Sequence, residues 1–298
     1  MRERLGGGGF SDVYRVYRAL DDQEYALKVF NVGVEYDKVQ REIITLRQID
    51  NPHVVRAVWA SRTYEKQWYL VTELIDGEPL AEYARGTKRL SAAEAVRLIC
   101  QVLSALEAIH PDVLRIAELR RRLDDGEGEV DDIATWQRLQ GEGIVHRDIK
   151  PENLMLTGDG VKLIDFNIAS RVGDRVQTLS GTPPYMPPDV LAGHDRWEVS
   201  PDLFATGVVL YELLCYEHPY PDNQPRPDRY PRDPREMRPD LSPELASFLL
   251  RACAPYSADR FPSALVMRKS LEAIDPLIAP VVPPSGLSPE LQIGRAHV

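Results

Sequence analysis

An α+β fold of two unequal lobes is what this 298-residue chain predicts. Three observations carry the prediction: strand-length aromatic and β-branched runs near the N-terminus, capped amphipathic segments from Ser91 onward, and prolines crowded at the C-terminal end. Residues 24–31 (EYALKVFN) and 67–73 (QWYLVTE) read as strands. Between them, residues 37–48 place Val39, Ile43 and Leu46 on one helical face. Residues 1–75 therefore read as a small sheet with one main helix. Ser91 followed by Glu94 is a capping box, and Val96, Ile99, Cys100, Leu103 and Leu106 continue it as a long helix to His110. Further helices over 202–215, 243–254 and 264–274 complete a larger helical lobe, residues 76–275. Pro276, Pro280, Pro283, Pro284 and Pro289 make 276–298 an extended linker.

Composition removes several function classes. Lys and Arg total 36 against 46 Asp and Glu, a formal charge of −10. No basic run marks a nucleic-acid or anionic-membrane surface, so neither is expected as a partner. No apolar stretch approaches the ~20 residues that span a bilayer, and the N-terminus carries no signal-peptide core. Cys100, Cys215 and Cys253 are scattered through apolar contexts, and the six histidines show no paired ligand spacing. Reduced thiols in a cytoplasmic protein are the expectation. The last six residues, 293–298 (IGRAHV), can be written ATC GGA AGA GCA CAC GTC, which resembles read-through into a sequencing adapter; an ordinary polar tail is the other reading. The first implies that the natural chain continues beyond Gln292, and four residues ahead of Leu5 likewise point to a piece of something longer.

The chemistry starts at Leu5-Gly6-Gly7-Gly8-Gly9-Phe10-Ser11-Asp12-Val13, a glycine-rich turn between strands. Missing side chains there let backbone N–H groups approach phosphate oxygens. Four glycines serve equally as a flexible linker. Lys28 ends the apolar run Tyr25-Ala26-Leu27-Lys28, where a buried ammonium needs a phosphate or carboxylate partner; Glu42 on the next helix can supply the carboxylate. A lysine that snorkels to water is the alternative.

Two later segments narrow the field: His146-Arg147-Asp148-Ile149-Lys150-Pro151-Glu152-Asn153-Leu154 and Leu163-Ile164-Asp165-Phe166-Asn167. With the glycine turn and Lys28 ahead of them, in that order, they resemble the eukaryotic-like Ser/Thr protein kinase family in its bacterial style, over about residues 2–274. The resemblance implies the bilobal protein-kinase fold, a protein substrate, and ATP with Mg²⁺, or Mn²⁺ in its place. By the same resemblance, Lys28 holds the α- and β-phosphates and Glu42 holds Lys28. Asp165 and Asn153 are the metal ligands, Asp148 accepts the proton of the substrate hydroxyl, and Lys150 neutralises the γ-phosphate and marks Ser/Thr preference. Leu5, Gly6 and Gly8 cover the nucleotide, Val13, Ala26 and Met155 wall the adenine ring, Thr72 is the gatekeeper, and Glu73 and Ile75 offer backbone groups to the purine edge.

The same resemblance gives Asp202 the task of bracing the catalytic loop and pairs Arg260 with Asp189, an aspartate where the family usually has glutamate. Asn167 stands where the family usually has glycine, and asparagine tolerates left-handed backbone geometry. Arg147 implies a pocket for a phosphate on the activation segment, with Thr178 and Ser180 as autophosphorylation sites and Thr182 contacting the catalytic aspartate. Residues 111–142 depart from the family pattern: nine Asp and Glu against five Arg give a net charge of −4. They read as a helical hairpin, either solvated decoration or a docking surface for the rest of the parent protein or a partner. A pseudokinase scaffold is the alternative to an active enzyme. Lys150-Pro151 and the 181–189 segment disfavour a small-molecule kinase.

Overall fold

The structure is a computed structural model, and it describes all residues except 1–2, 8–10, 32–35, 142, 167–168, 176–180, 194–195 and 277–298. The alternating runs near the N-terminus form one antiparallel sheet. β1 (Glu3–Gly7), β2 (Ser11–Arg18), β3 (Gln23–Phe30), β4 (Ala57–Arg62) and β5 (Trp68–Glu73) lie in the order β1-β2-β3-β5-β4. Val13 and Leu70 pair with Lys28, and Thr72 pairs with Ala26. Directly paired residues, and residues two apart on a strand, share a face, so Val13, Ala26, Lys28 and Thr72 line one side of the sheet. α1 (Tyr36–Gln48) connects β3 to β4 and buries Val39 and Leu46.

β6 (Glu78–Pro79) and α2 (Ala81–Ala84) lead into α3 (Ala92–Ile109). The capping box forms: Ser91 Oγ accepts the Glu94 N–H (3.2 Å) and Glu94 Oε2 accepts the Ser91 N–H (2.9 Å). α4 (Val113–Asp124) and α5 (Val130–Gly141) follow as a hairpin that buries Leu119 and exposes Val130 and Ile133. The excursion closes where it opened. Gly143 has φ +84°, and a side chain there would collide with the Pro111 backbone.

β7 (Ile144–Val145) pairs with β10 (Ser170–Arg171), while β8 (Leu154–Thr157) and β9 (Gly160–Leu163) join β6 in a three-stranded sheet. Residues 53–55 grip β9: the Leu163 N–H donates to the His53 carbonyl (2.8 Å) and the Val55 N–H to the Leu163 carbonyl (3.0 Å).

α6 (Pro188–Leu191), α7 (Ser200–Cys215), α8 (Pro243–Ala252) and α9 (Ala264–Glu272) complete the large lobe. α7 is apolar around nearly its whole circumference and buried along its length, as a helix at the centre of a core must be. It starts two residues before the predicted Asp202 because Pro201 fits the first turn, where its missing N–H has no intrahelical partner to lose. Gly207 lets α8 approach: a Cβ there would lie 2.6 Å from that of Ala252. Arg268 of α9 clasps Glu107 of α3 through two bonds (2.5 and 3.0 Å). Among the described residues no helix is long and apolar enough to cross a membrane. The linker expected over 276–298 lies, apart from Pro276, outside the described residues.

Candidate active site

The loop between β7 and β8 carries a carboxylate surrounded by donors. Asn153 Nδ2 donates to Asp148 Oδ2 (3.0 Å) and to the Asp148 carbonyl (2.8 Å), and Thr182 Oγ1 donates to Oδ1 (2.8 Å). Lys150 Nζ stands 2.8 Å from Asp148 Oδ2 and donates to Thr182 Oγ1 (3.0 Å). Four residues named from the sequence thus meet in one cluster, with the carboxylate orientation fixed by three neighbours.

The backbone under this cluster is held by Asp202, whose side chain is 1% exposed. Its Oδ2 accepts the His146 N–H (2.7 Å) and the His110 Nε2–H (2.9 Å), and its Oδ1 accepts the Arg147 N–H (2.8 Å). Hydrogen bonds to a charged acceptor contribute about 1.5–3 kcal/mol each, enough to offset the left-handed backbone of Arg147 (φ +70°). Burial pushes the His146 pKa below the ordinary histidine value. The neutral ring donates from Nε2 to the Ile164 carbonyl (3.1 Å), accepts the Asp148 N–H at Nδ1 (3.3 Å), and meets Phe166 edge-on.

Across the cleft, Lys28 is buried and its Nζ lies 3.0 Å from Asp165 Oδ1. Asp165 also has a left-handed backbone (φ +64°). Glu42 belongs to α1, but its side chain lies outside the described residues, as do Gly8, Asn167, Thr178 and Ser180. Leu5 is partly exposed on β1, and Gly6 pairs with Val13. Met155 pairs with Pro79 and Lys162, and Lys162 Nζ reaches Glu73 Oε1 (2.8 Å). The β8–β9 face that carries Met155 therefore looks toward the strand end at Glu73. Thr72 Oγ1 donates to the Glu73 carbonyl (3.2 Å), and Ile75 packs on the core.

The donor set beside Lys28 suits a hard divalent cation. Asp165 offers a partly exposed carboxylate, and Asn153, with its amide hydrogens spent on Asp148, keeps Oδ1 as its remaining polar group. The Ile164 N–H donates to the Asn153 carbonyl (3.0 Å), which sets the segments carrying Asn153 and Asp165 side by side. One carboxylate beside one amide oxygen is a hard donor set that Mg²⁺ fits.

Further out, Arg147 donates to Ser170 Oγ (2.7 Å) and its guanidinium stacks 3.8 Å from the Trp197 ring centroid. Asp189 Oδ1 accepts from Arg260 (3.0 Å) and Oδ2 from the Ser257 N–H (3.0 Å). Arg260 also donates to the Ala254 and Pro255 carbonyls and to Ser200 Oγ, so its buried charge is well partnered despite the shorter acid.

The protein kinase domain pattern matches residues 1–115 and 135–270. The chain belongs to the protein kinase family. It is 28% identical over 290 residues to the probable serine/threonine-protein kinase SCO3848 of Streptomyces coelicolor, covering 90% of this chain and 38% of that protein. It is 28% identical over 229 residues to the probable serine/threonine-protein kinase PknB of Lactococcus lactis, covering 73% and 31%. With myosin light chain kinase A of Dictyostelium discoideum it shares 32% identity over 231 residues, 74% of this chain and 67% of the other. The kinase chain spans less than two-fifths of the length of the two bacterial relatives.

Several working residues of the kinase site escape a reading of the sequence. His110 enters the sequence reading only among the histidines without paired ligand spacing, and His146 only as part of the motif ahead of Asp148, yet both serve Asp202 and the loop it holds. The signal for His110 is its place at the end of a buried helix, where a polar side chain needs a partner. Lys162 and Trp197 gave none, because their partners, Glu73 and Arg147, come from distant segments.

Proposed function

We propose that this chain transfers the γ-phosphoryl group of ATP to serine or threonine hydroxyls of proteins. The observation that carries the reading is the Asp148–Lys150–Thr182 cluster: an oriented carboxylate with a cation beside it and a hydroxyl already seated on its oxygen. The acceptor hydroxyl donates to Asp148 alongside Thr182, its oxygen bonds to the γ-phosphorus, the bond to ADP breaks, and the hydroxyl proton passes to Asp148. Lys150 meets the charge on the transferred group and Lys28 the phosphates behind it. Mg²⁺, or Mn²⁺ in its place, held by Asp165 and Asn153, supplies neutralisation of the phosphate charge when bound. Val13, Ala26 and Met155 wall the base, and Thr72, Glu73 and Ile75 border it. Arg147 supports a phosphate-responsive activation segment with Thr178 or Ser180 as the modified residue. A cytoplasmic location is part of the same reading, in keeping with three cysteines scattered through apolar contexts.

The test is ATP turnover with a generic protein acceptor. Asp148→Ala is expected to lose about 10²–10⁴-fold in rate, and mass spectrometry of the ATP-treated wild type to find phosphate at Thr178 or Ser180. Equal turnover by both proteins would overturn the catalytic assignment.

A further inference from the structure

Arg147 is gripped at both ends by one short stretch of chain, residues 197–202. Its backbone N–H lies on Asp202 Oδ1 (2.8 Å), and its guanidinium carbon stands 3.8 Å from the ring centroid of Trp197. A guanidinium within about 6 Å of an indole face is attracted by the ring quadrupole, and the attraction strengthens where water is excluded. Trp197 is buried and packs with Val145, Met186 and Val190, so its ring has little room to turn. Its backbone is pinned to the start of the activation segment. The Trp197 N–H donates to the Asp174 carbonyl (2.9 Å), the Gly173 N–H to the Trp197 carbonyl (2.8 Å), and Arg196 Nη1 to the Gly173 carbonyl (2.7 Å). Stacking uses the face of the guanidinium and leaves its edge for in-plane bonds, one of which goes to Ser170 Oγ (2.7 Å). Ser170 is itself fixed, paired with Val145 across β10 and β7.

Arg147 directly precedes Asp148 and holds a left-handed backbone (φ +70°), a conformation that persists only where the surroundings over-determine it. Any tilt of Arg147 is passed one residue on, to the carboxylate that accepts the hydroxyl proton. We propose that Trp197 is a positioning residue for phosphoryl transfer: its ring seats Arg147, and through Arg147 the Asp148 carboxylate, before any phosphate is on the activation segment. This rests on the phosphoryl-transfer reading above. Autophosphorylation calls for such a seat, since the first phosphate on Thr178 or Ser180 must be transferred by a chain that does not yet carry it. A phosphate that arrives later meets a guanidinium already oriented by a permanent partner, and adds to the alignment instead of creating it.

The experiment compares the wild-type chain with a Thr178→Ala, Ser180→Ala background, in which no phosphate at those positions reaches Arg147. In that background Trp197 is replaced site-specifically by tryptophan carrying one to four ring fluorines, which withdraw π density while nearly preserving shape. Trp197→Phe, Trp197→Leu, Arg147→Leu, the double change Arg147→Leu with Trp197→Leu, and the surface control Val130→Glu complete the set. kcat and KM for ATP are measured with a generic protein acceptor, and each protein is checked by thermal melting. kcat is expected to fall stepwise with added fluorine, to about a tenth at four, while KM for ATP stays within about twofold and Trp197→Phe within about threefold of the parent. Arg147→Leu loses as much, and the double change no more than either single one. A kcat indifferent to fluorine, losses that multiply in the double change, or transfer by the wild type with none by the alanine background each overturns the seat and leaves the transfer reading standing. Absence of transfer from the wild type overturns that reading instead. Amide hydrogen exchange then decides the seat: exchange at residues 146–148 that quickens with fluorine upholds it, and exchange indifferent to fluorine overturns it.

Discussion

Asp202 ties together donors 92, 56 and 55 residues away in sequence. Asp202→Ala leaves three buried donors without their acceptor, at about 1–3 kcal/mol each. A loss of about 3 kcal/mol or more in urea unfolding is expected, and an unchanged midpoint would refute the bracing role. A second carboxyl, Glu212 on α7, is pushed up to about 7 by burial, although the Tyr185 hydroxyl donates to it (2.9 Å) and opposes the rise. A carboxyl whose folded pKa exceeds its unfolded one contributes stability that is fully present below the ordinary carboxylate range and lost as pH rises to about 7. Wild type should therefore weaken relative to Glu212→Gln between pH 4.5 and 7, by at most about 1.4 kcal/mol per pH unit. Parallel stability curves would show that the carboxyl ionises as freely in the folded protein as in water.

At the scale of elements, the contact of α7 with α8 is set by the absence of one carbon. Gly207→Ala puts a methyl group 2.6 Å from the Ala252 Cβ. A shift of α8 costing about 1–3 kcal/mol is expected from overpacking, read as a lower unfolding midpoint. A gain in stability, from better helix propensity alone, would mean that α8 moves freely. Elements governed by local chemistry were legible in the sequence: the Ser91–Glu94 capping box, the strand around Lys28 and the apolar stripe of α3 each follow from residues within one or two turns of each other. The two-residue strands β6, β7 and β10 were not, since pairing with distant chain creates them and no alternation is long enough to see. The site divides in the same way. Asp148, Lys150 and Asn153 share one short segment and were readable together, whereas the Lys28 contact with Asp165 joins residues 137 apart, a distance no local pattern spans.

For the whole molecule, the α4–α5 hairpin leaves and rejoins the large lobe at one point, Pro111 beside Gly143. Replacing residues 114–139 by a short glycine–serine link is expected to leave a folded enzyme with peptide phosphorylation within about threefold of wild type, since loop closure depends only weakly on length. An insoluble or inactive product would show that Leu119 and its neighbours complete the core. The grip of residues 53–55 and of Glu73 on β9 has a mechanical side. The small lobe is pinned to one edge strand of the large lobe by two backbone bonds at Leu163 and an ion pair at Lys162, in addition to the chain that runs on from Glu73. With the Lys28–Asp165 bond across the cleft and Asn51 Nδ2 donating to the Ser104 carbonyl of α3, these contacts gather the joint between the lobes around β9 and its neighbours. β1 lies at the far edge of the sheet order from β4, so a rotation of the small lobe about that joint moves β1 furthest.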